Sequence, residues 1–585
     1  MIPGGRSRAE ARLRPPDPGW TEADAADAAV VSELMAALRL PDALCSVLAV
    51  RGFRRVDDAK RFLRPRLEHL HDPSQLADGP RAAERIVTGI RRGETILVHG
   101  DYDVDGICAT ALYTRWLRSL GARVVPFVPH RLRDGYDFTD AGLEAASAAG
   151  ARLIVTADCG AVAHEPIARA RSLGIDVVVS DHHTVAASLP DACAVVNPQR
   201  IDCAYPDKGL CGAGLAYKVC QLVAEAAGAP LDDLPAYLDL VALATVADLV
   251  PLTGENRVLV AYGIRRFAST RVEGLRALLQ VAGVAAGEVN AGNLGFVLAP
   301  RINAAGRIGE SADALALLLT DDADEARRLA SRLDTTNGER QAEDARTLEE
   351  AVELLEREFR PAEDFGVVLA ADGWHPGVIG IVASRVVELV HRPVVMIALD
   401  GAGGRGSARS IPGFHLYEAL SACGSHLRRF GGHRQAAGLD IDREALPAFR
   451  EAFNAAARER LQGTDLRPTL RPDVELDLRC ADLQLAHWLS YLGPHGIGNP
   501  GPLFLARGVS LERARVVGQN HLKATLRLDG SSLEAIGFGL AERHPVESIG
   551  AGPHDVLFRL ESNHWRGVTR PQARFVDLRP SEASR

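Results

Sequence analysis

Four segments of this 585-residue sequence hold acidic side chains and histidines at spacings that could share cations: His99-Gly-Asp101-Tyr-Asp103-Val-Asp105-Gly106, Asp158-Cys-Gly160, Asp181-His182-His183, and Asp248. Singly, each has an ordinary explanation, because an Asp that follows a strand usually caps a helix or makes a turn. Together they are harder to dismiss. Carboxylates crowded on one rim repel one another and resist ionisation unless cations neutralise them. Oxygen and imidazole donors without thiolate suit Mn2+ or Mg2+ better than structural zinc. A pair of such ions can clamp a phosphodiester, acidify a bound water and stabilise the leaving oxygen.

Two look-alike motifs fail on context. Asp101–Gly106 opens like the D-x-D-x-D-G of a calcium EF-hand, but its twelfth position is Leu112 and a strand precedes it. Gly401-Ala-Gly403-Gly-Arg-Gly406 matches G-x-G-x-x-G, yet Pro412 follows where a helix should open. Cys108 and Cys159, beside the first two clusters, read as small buried neighbours rather than ligands.

The elements that must position these residues alternate. Thr95–His99, Arg123–Val128, Leu153–Thr156 and Ile175–Ser180 read as strands; Ile107–Leu120 and Glu165–Leu173 read as helices stopped by Gly121 and Gly174. Such alternation implies a parallel sheet with crossover helices, whose ligands bind beyond the carboxyl ends of the strands. The first three clusters follow strands, and Asp248 sits near the end of an apolar helix expected over Leu238–Val250. The fold class is therefore α/β multidomain. The expected limits are a disordered tail at 1–30, an N-terminal helical segment at 31–80 split by Pro41, and a catalytic domain at 81–321. A connecting helix at 322–360, a smaller α/β domain at 361–465 and a β-rich domain at 466–585 complete it.

Composition bounds the partners. The 67 basic and 76 acidic residues give a net charge of −9, so any nucleic-acid contact must come from local patches. Nine cysteines without a CxxC pair argue against a disulfide framework or zinc ribbon. No segment reaches the ~20 apolar residues of a membrane span, and no signal peptide opens the chain. A reduced cytoplasmic location without membrane contact is the expectation.

At these residues the sequence resembles the DHH phosphoesterase superfamily, with all four of its motifs intact. Ala299-Pro-Arg301-Ile-Asn303-Ala-Ala-Gly306-Arg307 and Trp374-His375-Pro376-Gly377-Val378-Ile379-Gly380 are similar to segments of the RecJ exonucleases. Gly431-Gly432-His433-Arg-Gln-Ala436-Ala437-Gly438 resembles the superfamily's second-domain signature, DHHA1. Gly498-Asn499-Pro500 resembles the opening of an OB-like module, so the β-rich domain is expected to be OB-like. Ala408 stands where that family often has Gly.

The resemblance implies a 5′→3′ exonuclease that degrades single-stranded DNA from a 5′ end, in recombination and repair, with two divalent cations, Mn2+ or Mg2+. It implies that Asp158 bridges the ions, that Asp103 and His99 hold one, and that Asp105, His182 and Asp248 complete the other. His183 would face the scissile phosphate, and Asp181 would orient a neighbouring ligand. Arg131, Ser407 and Arg409 map onto a 5′-phosphate pocket. Arg301, Asn303, Arg307, Gly432 and His433 are further candidates for gripping the strand. Each Arg also has a plainer reading as a solvent-facing charge or structural ion pair. Trp565 and His564 could stack on bases, although a core position is the expectation for Trp565. A ring-like domain arrangement and partners such as single-strand-binding protein and a helicase are implied as well. The competing readings are a phosphoesterase of short substrates, which would not need the module after Pro468, and an inactive relative, which would have lost carboxylates.

Overall fold

The structure, a computed structural model, describes residues 13, 15–131, 133–550 and 552–581. It divides into two compact units. One comprises Asp57–Gly338 with Tyr491–Gly501; the other comprises the chain up to Val56, Glu339–Ser490, and Pro502 onward.

The first unit is built on a five-stranded sheet. Its strands, in spatial order Arg123–Phe127, Thr95–Gly100, Leu153–Ala157, Asp176–Ser180 and Ala194–Val196, all run parallel. Both faces are covered, as parallel strands require. Leu97, Ile154 and Val179 pack with Phe138 and Ile167 on one side; Ile96, Val98 and Val155 join Ile107, Leu112 and Leu215 on the other. The strand ends that carry the acidic clusters therefore share one edge. The apolar helix stops at Ala247 rather than at Val250, because Leu249 turns into the left-handed region at φ 59° and is 68% exposed. The first helix also begins early, at Val104.

The second unit contains a mixed sheet in the order Arg429–Gly432, Ala436–Asp442, Gly403–Arg409, Val394–Asp400, Val367–Asp372, in which only the last pair is parallel. The Gly401–Gly406 segment is thus a turn and the start of an antiparallel strand. Beyond it, Phe504–Val517, His521–Leu528, Ser531–Gly537, Val568–Pro580 and His554–Trp565 pair in sequence, and the last closes on the first to make a barrel. Asp529-Gly530, both at positive φ, make the turn between two of these strands.

A helix of 36 residues, Ala323–Glu358, runs unbroken through Gly338. The N-terminal segment holds three helices, Ala28–Leu38, Asp42–Val50 and Val56–Leu63; Pro41 separates the first two and the Arg51-Gly52 turn the next. Residues 1–12 and 14 of the expected tail lie outside the described residues. The rest of it is tied down, which corrects the expectation. Gly19–Trp20 pairs in parallel with Thr469–Leu470, and Trp20 Nε1 donates to Asp577 at 2.8 Å. Among the described residues no helix is long and apolar enough to cross a membrane.

Candidate metal centre and active site

Each acidic side chain on the rim is aimed by a specific local device. Asp103 caps the helix Val104–Ser119, its Oδ1 accepting from Asp105 N at 2.9 Å and Gly106 N at 3.1 Å. Asp105 follows in the first turn of that helix, not in an open loop. Gly106 is required there, since a Cβ would lie 2.5 Å from Asp101 N. The two oxygens of Asp105 accept from Gly212 N (2.6 Å) and Ala213 N (2.7 Å), the first amides of the helix Gly212–Ala227. A helix N-terminus is a natural seat for a carboxylate. Asp158 leaves its strand at φ 70°, a conformation that Asp tolerates better than most residues, and its N–H donates to Ser180 O at 3.0 Å. Asp248 terminates the helix Leu238–Ala247.

Three overlapping donor groups result: Asp101, Asp103 and Asp158; Asp105, His182 and Asp248; and Asp158, His182 and His183, with ligand atoms within 4.8 Å of one another in each. Asp158 and His182 each belong to two groups. Asp158 Oδ1, His182 Nε2, Asp248 Oδ2 and Asp101 Oδ1 are buried without a hydrogen-bond partner in the protein. His182 Nε2 does lie 3.0 Å from Asp158 Oδ1, but without hydrogen-bond alignment. Buried polar atoms left unsatisfied are costly, and a divalent cation is what a cluster of carboxylates and imidazole can receive.

The electrostatics agree. Burial, then the charges of Asp105 and Asp103, push the Asp158 carboxyl well above the usual carboxylate range. Burial and Asp105 lift Asp248 to about 9, while burial and Asp103 lift Asp105 to about 6. Burial holds His182 at about 4, leaving its imidazole neutral and able to ligate. His183 behaves oppositely. Burial opposes its protonation, but the hydrogen bond and charge of Asp181 raise it to about 9. Asp181 Oδ1 lies 2.8 Å from His183 Nδ1, and Tyr136 Oη lies 3.2 Å from Nε2.

The other candidates of this unit are placed as follows. His99 packs between the Phe127 and Phe138 rings at 5.2 and 5.1 Å, with Nδ1 3.5 Å from Cys159 Sγ. It joins none of the three donor groups. Arg131 lies over the Tyr102 ring at 5.2 Å. Asn303 Oδ1 accepts from Val104 N at 3.2 Å, bracing the first motif. Arg301 pairs with Asp334 at 2.9 Å and donates to Val297 O. Arg307 lies on the same helix, Ala299–Ile308, which packs so closely on Tyr102 that a Cβ at Gly306 would sit 2.7 Å from the Tyr102 carbonyl.

In the second unit Ser407 and Arg409 occupy the strand Gly403–Arg409, with Arg409 donating to Ser407 Oγ at 3.1 Å. Both face Gly380, in the first turn of the helix Ile379–Val390; a Cβ there would lie 2.8 Å from each side chain. An arginine, a hydroxyl and a helix N-terminus thus meet at one place. Gly432 and His433 make the turn into the neighbouring strand, Gly432 at φ 142° and His433 N donating to Ala436 O at 2.8 Å. On the barrel, Trp565 is 69% exposed, which corrects the core expectation. Its hairpin extends past the barrel, so every residue from Glu561 to Arg570 is exposed. On that ribbon's face Trp565 pairs with Val568, Asn563 with Arg570 and Arg559 with Arg574. The Arg574 guanidinium covers the exposed Phe538 ring at 5.5 Å.

Asp101, Tyr136 and the Gly212–Ala213 amides join the site in addition to the residues expected from the sequence. Asp101 stood inside the quoted motif, and its i, i+2, i+4 alternation with Asp103 and Asp105 was the available signal. The small residues of Cys211-Gly-Ala-Gly214 ahead of an apolar run were a sign of a helix start.

Three family models match the chain: the DHH family, N-terminal domain, over residues 95–245; the DHHA1 domain over 364–459; and the RecJ OB domain over 472–577. The chain is 36% identical over 558 residues to the single-stranded-DNA-specific exonuclease RecJ of Bacillus subtilis, covering 94% of this chain and 70% of that one. It is 36% identical over 562 residues to the protein of the same name from Salmonella typhimurium, covering 92% of this chain and 96% of that one. Among solved structures, RecJ of Thermus thermophilus in complex with Mn2+ superposes with a TM-score of 0.82 at 34% identity, covering 97% of this chain and 80% of that one. An exonuclease RecJ bound to manganese superposes at 0.60 with 37% identity, covering 68% of this chain and 99% of that one. The acidic rim, the two-unit architecture and these likenesses agree: the chain belongs to the RecJ family of single-stranded-DNA-specific exonucleases.

Proposed function

We propose that this chain is a metal-dependent 5′→3′ exonuclease that hydrolyses single-stranded DNA from its 5′ end, in recombination and DNA repair. The observation that carries the reading is the set of three donor groups linked through Asp158 and His182, with their unpartnered buried oxygens and nitrogen. Two divalent cations, Mn2+ or Mg2+, supply an activated water and charge neutralisation at the phosphate when bound. Asp158 is the residue suited to bridge them, because its carboxylate is shared by two groups. Asp103, with Asp101, would hold one ion; Asp105, His182 and Asp248 would hold the other. His99, whose buried Nε2 has no hydrogen-bond partner in the protein, is a further candidate to hold the first ion.

The remaining work belongs to the chain's own side chains. Asp105, fixed by two main-chain amides, keeps its carboxylate from swinging away from its neighbours. His183, oriented through Nδ1 by Asp181, faces the phosphate oxygen that gains charge. Ser407, Arg409 and the Gly380 helix end suit a 5′-phosphate, with Gly432 and His433 on the same sheet as further candidates; Arg131, in the other unit, is a separate candidate for contacting the strand's backbone. Asn303 positions the first motif, while Arg301, already paired with Asp334, and Arg307 are candidates for gripping the strand. The exposed aromatics Phe538 and Trp565, alternating with arginines, suit base stacking along a single strand.

In this reading the domain limits are 81–321 for the catalytic domain, 361–465 for the second and 466–585 for the strand-binding module. The working location is the cytoplasm, with single-strand-binding protein and a helicase as partners. A substrate length series tests the function: with Mn2+, turnover of single strands of tens of nucleotides should far exceed that of dinucleotides. Preference for dinucleotides would replace the reading with a short-substrate phosphoesterase.

A further inference from the structure

We propose that Tyr136 is a positioning residue for His183, its hydroxyl fixing the ring nitrogen that Asp181 does not hold. The inference rests on the reading above that His183 faces the scissile phosphate.

An imidazole has two nitrogens, and its direction is set only when both have partners. Asp181 Oδ1 lies 2.8 Å from His183 Nδ1 and accepts from the His183 main-chain N–H at 3.0 Å, while Oδ2 accepts from Ala161 N at 2.8 Å. A carboxylate only accepts, so Nδ1 carries the hydrogen of that bond. Nε2 then presents either a lone pair or a second N–H. The Tyr136 hydroxyl, 3.2 Å away, can satisfy either, since it both donates and accepts. Without it, the ring is held at one end and free to tip about the Asp181 contact.

The hydroxyl is placed by contacts that do not involve His183. Asp137, the next residue, takes φ 74° and its Oδ1 accepts from Gly160 N at 2.6 Å and Phe138 N at 2.8 Å. This ties the Tyr136 loop to the segment that follows Asp158. Phe138 anchors the other side in the core. The Tyr136 ring meets Tyr102 edge-on at 6.2 Å and His183 edge-on at 6.1 Å. Tyr136 is 51% exposed, so the Asp181–His183–Tyr136 row ends at the open side of the site.

Tyr136→Phe keeps both ring contacts and removes only the hydroxyl. In 15N-histidine-labelled protein, metal-free and Mg2+-loaded, the His183 ring signals are assigned by their loss in His183→Gln. The Nε2 resonance should move in Tyr136→Phe while Nδ1 stays. Loss of one hydrogen bond used at the reacting centre should lower kcat on 5′-phosphorylated single strands about tenfold, with KM, Mn2+ affinity and melting temperature nearly unchanged. An unmoved Nε2 signal, an unchanged kcat, an effect confined to KM, or a marked fall in melting temperature would each overturn the proposal. If the wild-type protein fails to degrade single strands, the exonuclease reading falls, and the Nε2 shift still decides whether Tyr136 fixes His183.

Discussion

Gly212 offers the sharpest perturbation of the site, because it touches two acidic residues at once. Its N–H donates to Asp105, and a Cβ placed on it would lie 2.5 Å from Asp158 Cβ and 2.8 Å from Asp158 Oδ1. Carbon atoms in contact prefer ~3.5–4.0 Å, so Gly212→Ala must push Asp158 or the helix end away by about 1 Å. Overpacking of this kind costs ~1–3 kcal/mol, offset by the ~1 kcal/mol that Ala gains over Gly inside a helix. Net stability should therefore fall only slightly. Function should suffer more, since a displacement of ~1 Å at a reacting centre can cost on the order of 100-fold in rate. Gly214, two residues on in the same helix, is the matched control. Its nearest neighbour would be 3.5 Å away, an ordinary contact, so Gly214→Ala should be neutral or stabilising with near-wild-type activity. The assay is kcat/KM on single-stranded DNA beside a thermal melt for each variant. Full activity in Gly212→Ala, or equal losses in both, would refute the geometry argued for Asp158.

Two further outcomes follow from the buried charges. Asp248, lifted to about 9, keeps a proton near neutral pH in the metal-free protein. The folded state then holds more protons than the unfolded one between about pH 4 and 9, so metal-free stability falls as pH rises through that window. Cation binding displaces the proton, so the melting-temperature gain from Mn2+ should be larger at pH 8 than at pH 6; equal gains would count against the assignment. Away from the site, the fully buried Lys218 donates to Glu255 at 2.6 Å and to His71 O at 2.9 Å. Glu255→Gln leaves that ammonium uncompensated and should cost about 3–5 kcal/mol in urea unfolding; a loss below about 1 kcal/mol would mean that the pair is not coupled.

What could be read from the sequence divides along physical lines. The parallel strands were legible because apolar runs bounded by Gly and Pro have few alternatives, and the acidic clusters at their ends inherited that clarity. The helical character of 322–360 was legible from its lack of proline, but whether Gly338 divides it was not; the helix is continuous. Conformations set by long-range contacts were not. Nothing near Asp105 announces that Gly212 and Ala213 supply its amides. The positive φ of Asp158 has no local signature either, because it depends on the Ser180 carbonyl. Asp101, inside the same motif, joins a donor group with Asp103 and Asp158, a convergence that depends on how the chain folds back on itself. Trp565 was read as core on residue type, which cannot register that its hairpin outruns the barrel. The Gly19–Trp20 strand was obscured by a composition typical of a tail, its partner lying at Thr469–Leu470.

The most direct test of the account uses a 3′-labelled single-stranded DNA bearing a 5′-phosphate, a blunt duplex of the same sequence, Mn2+, and the wild-type protein beside Asp158→Ala. Progressive loss from the 5′ end of the single strand alone is expected, and none with Asp158→Ala. Equal attack on the duplex would contradict the strand specificity, and activity surviving in Asp158→Ala would contradict the metal centre.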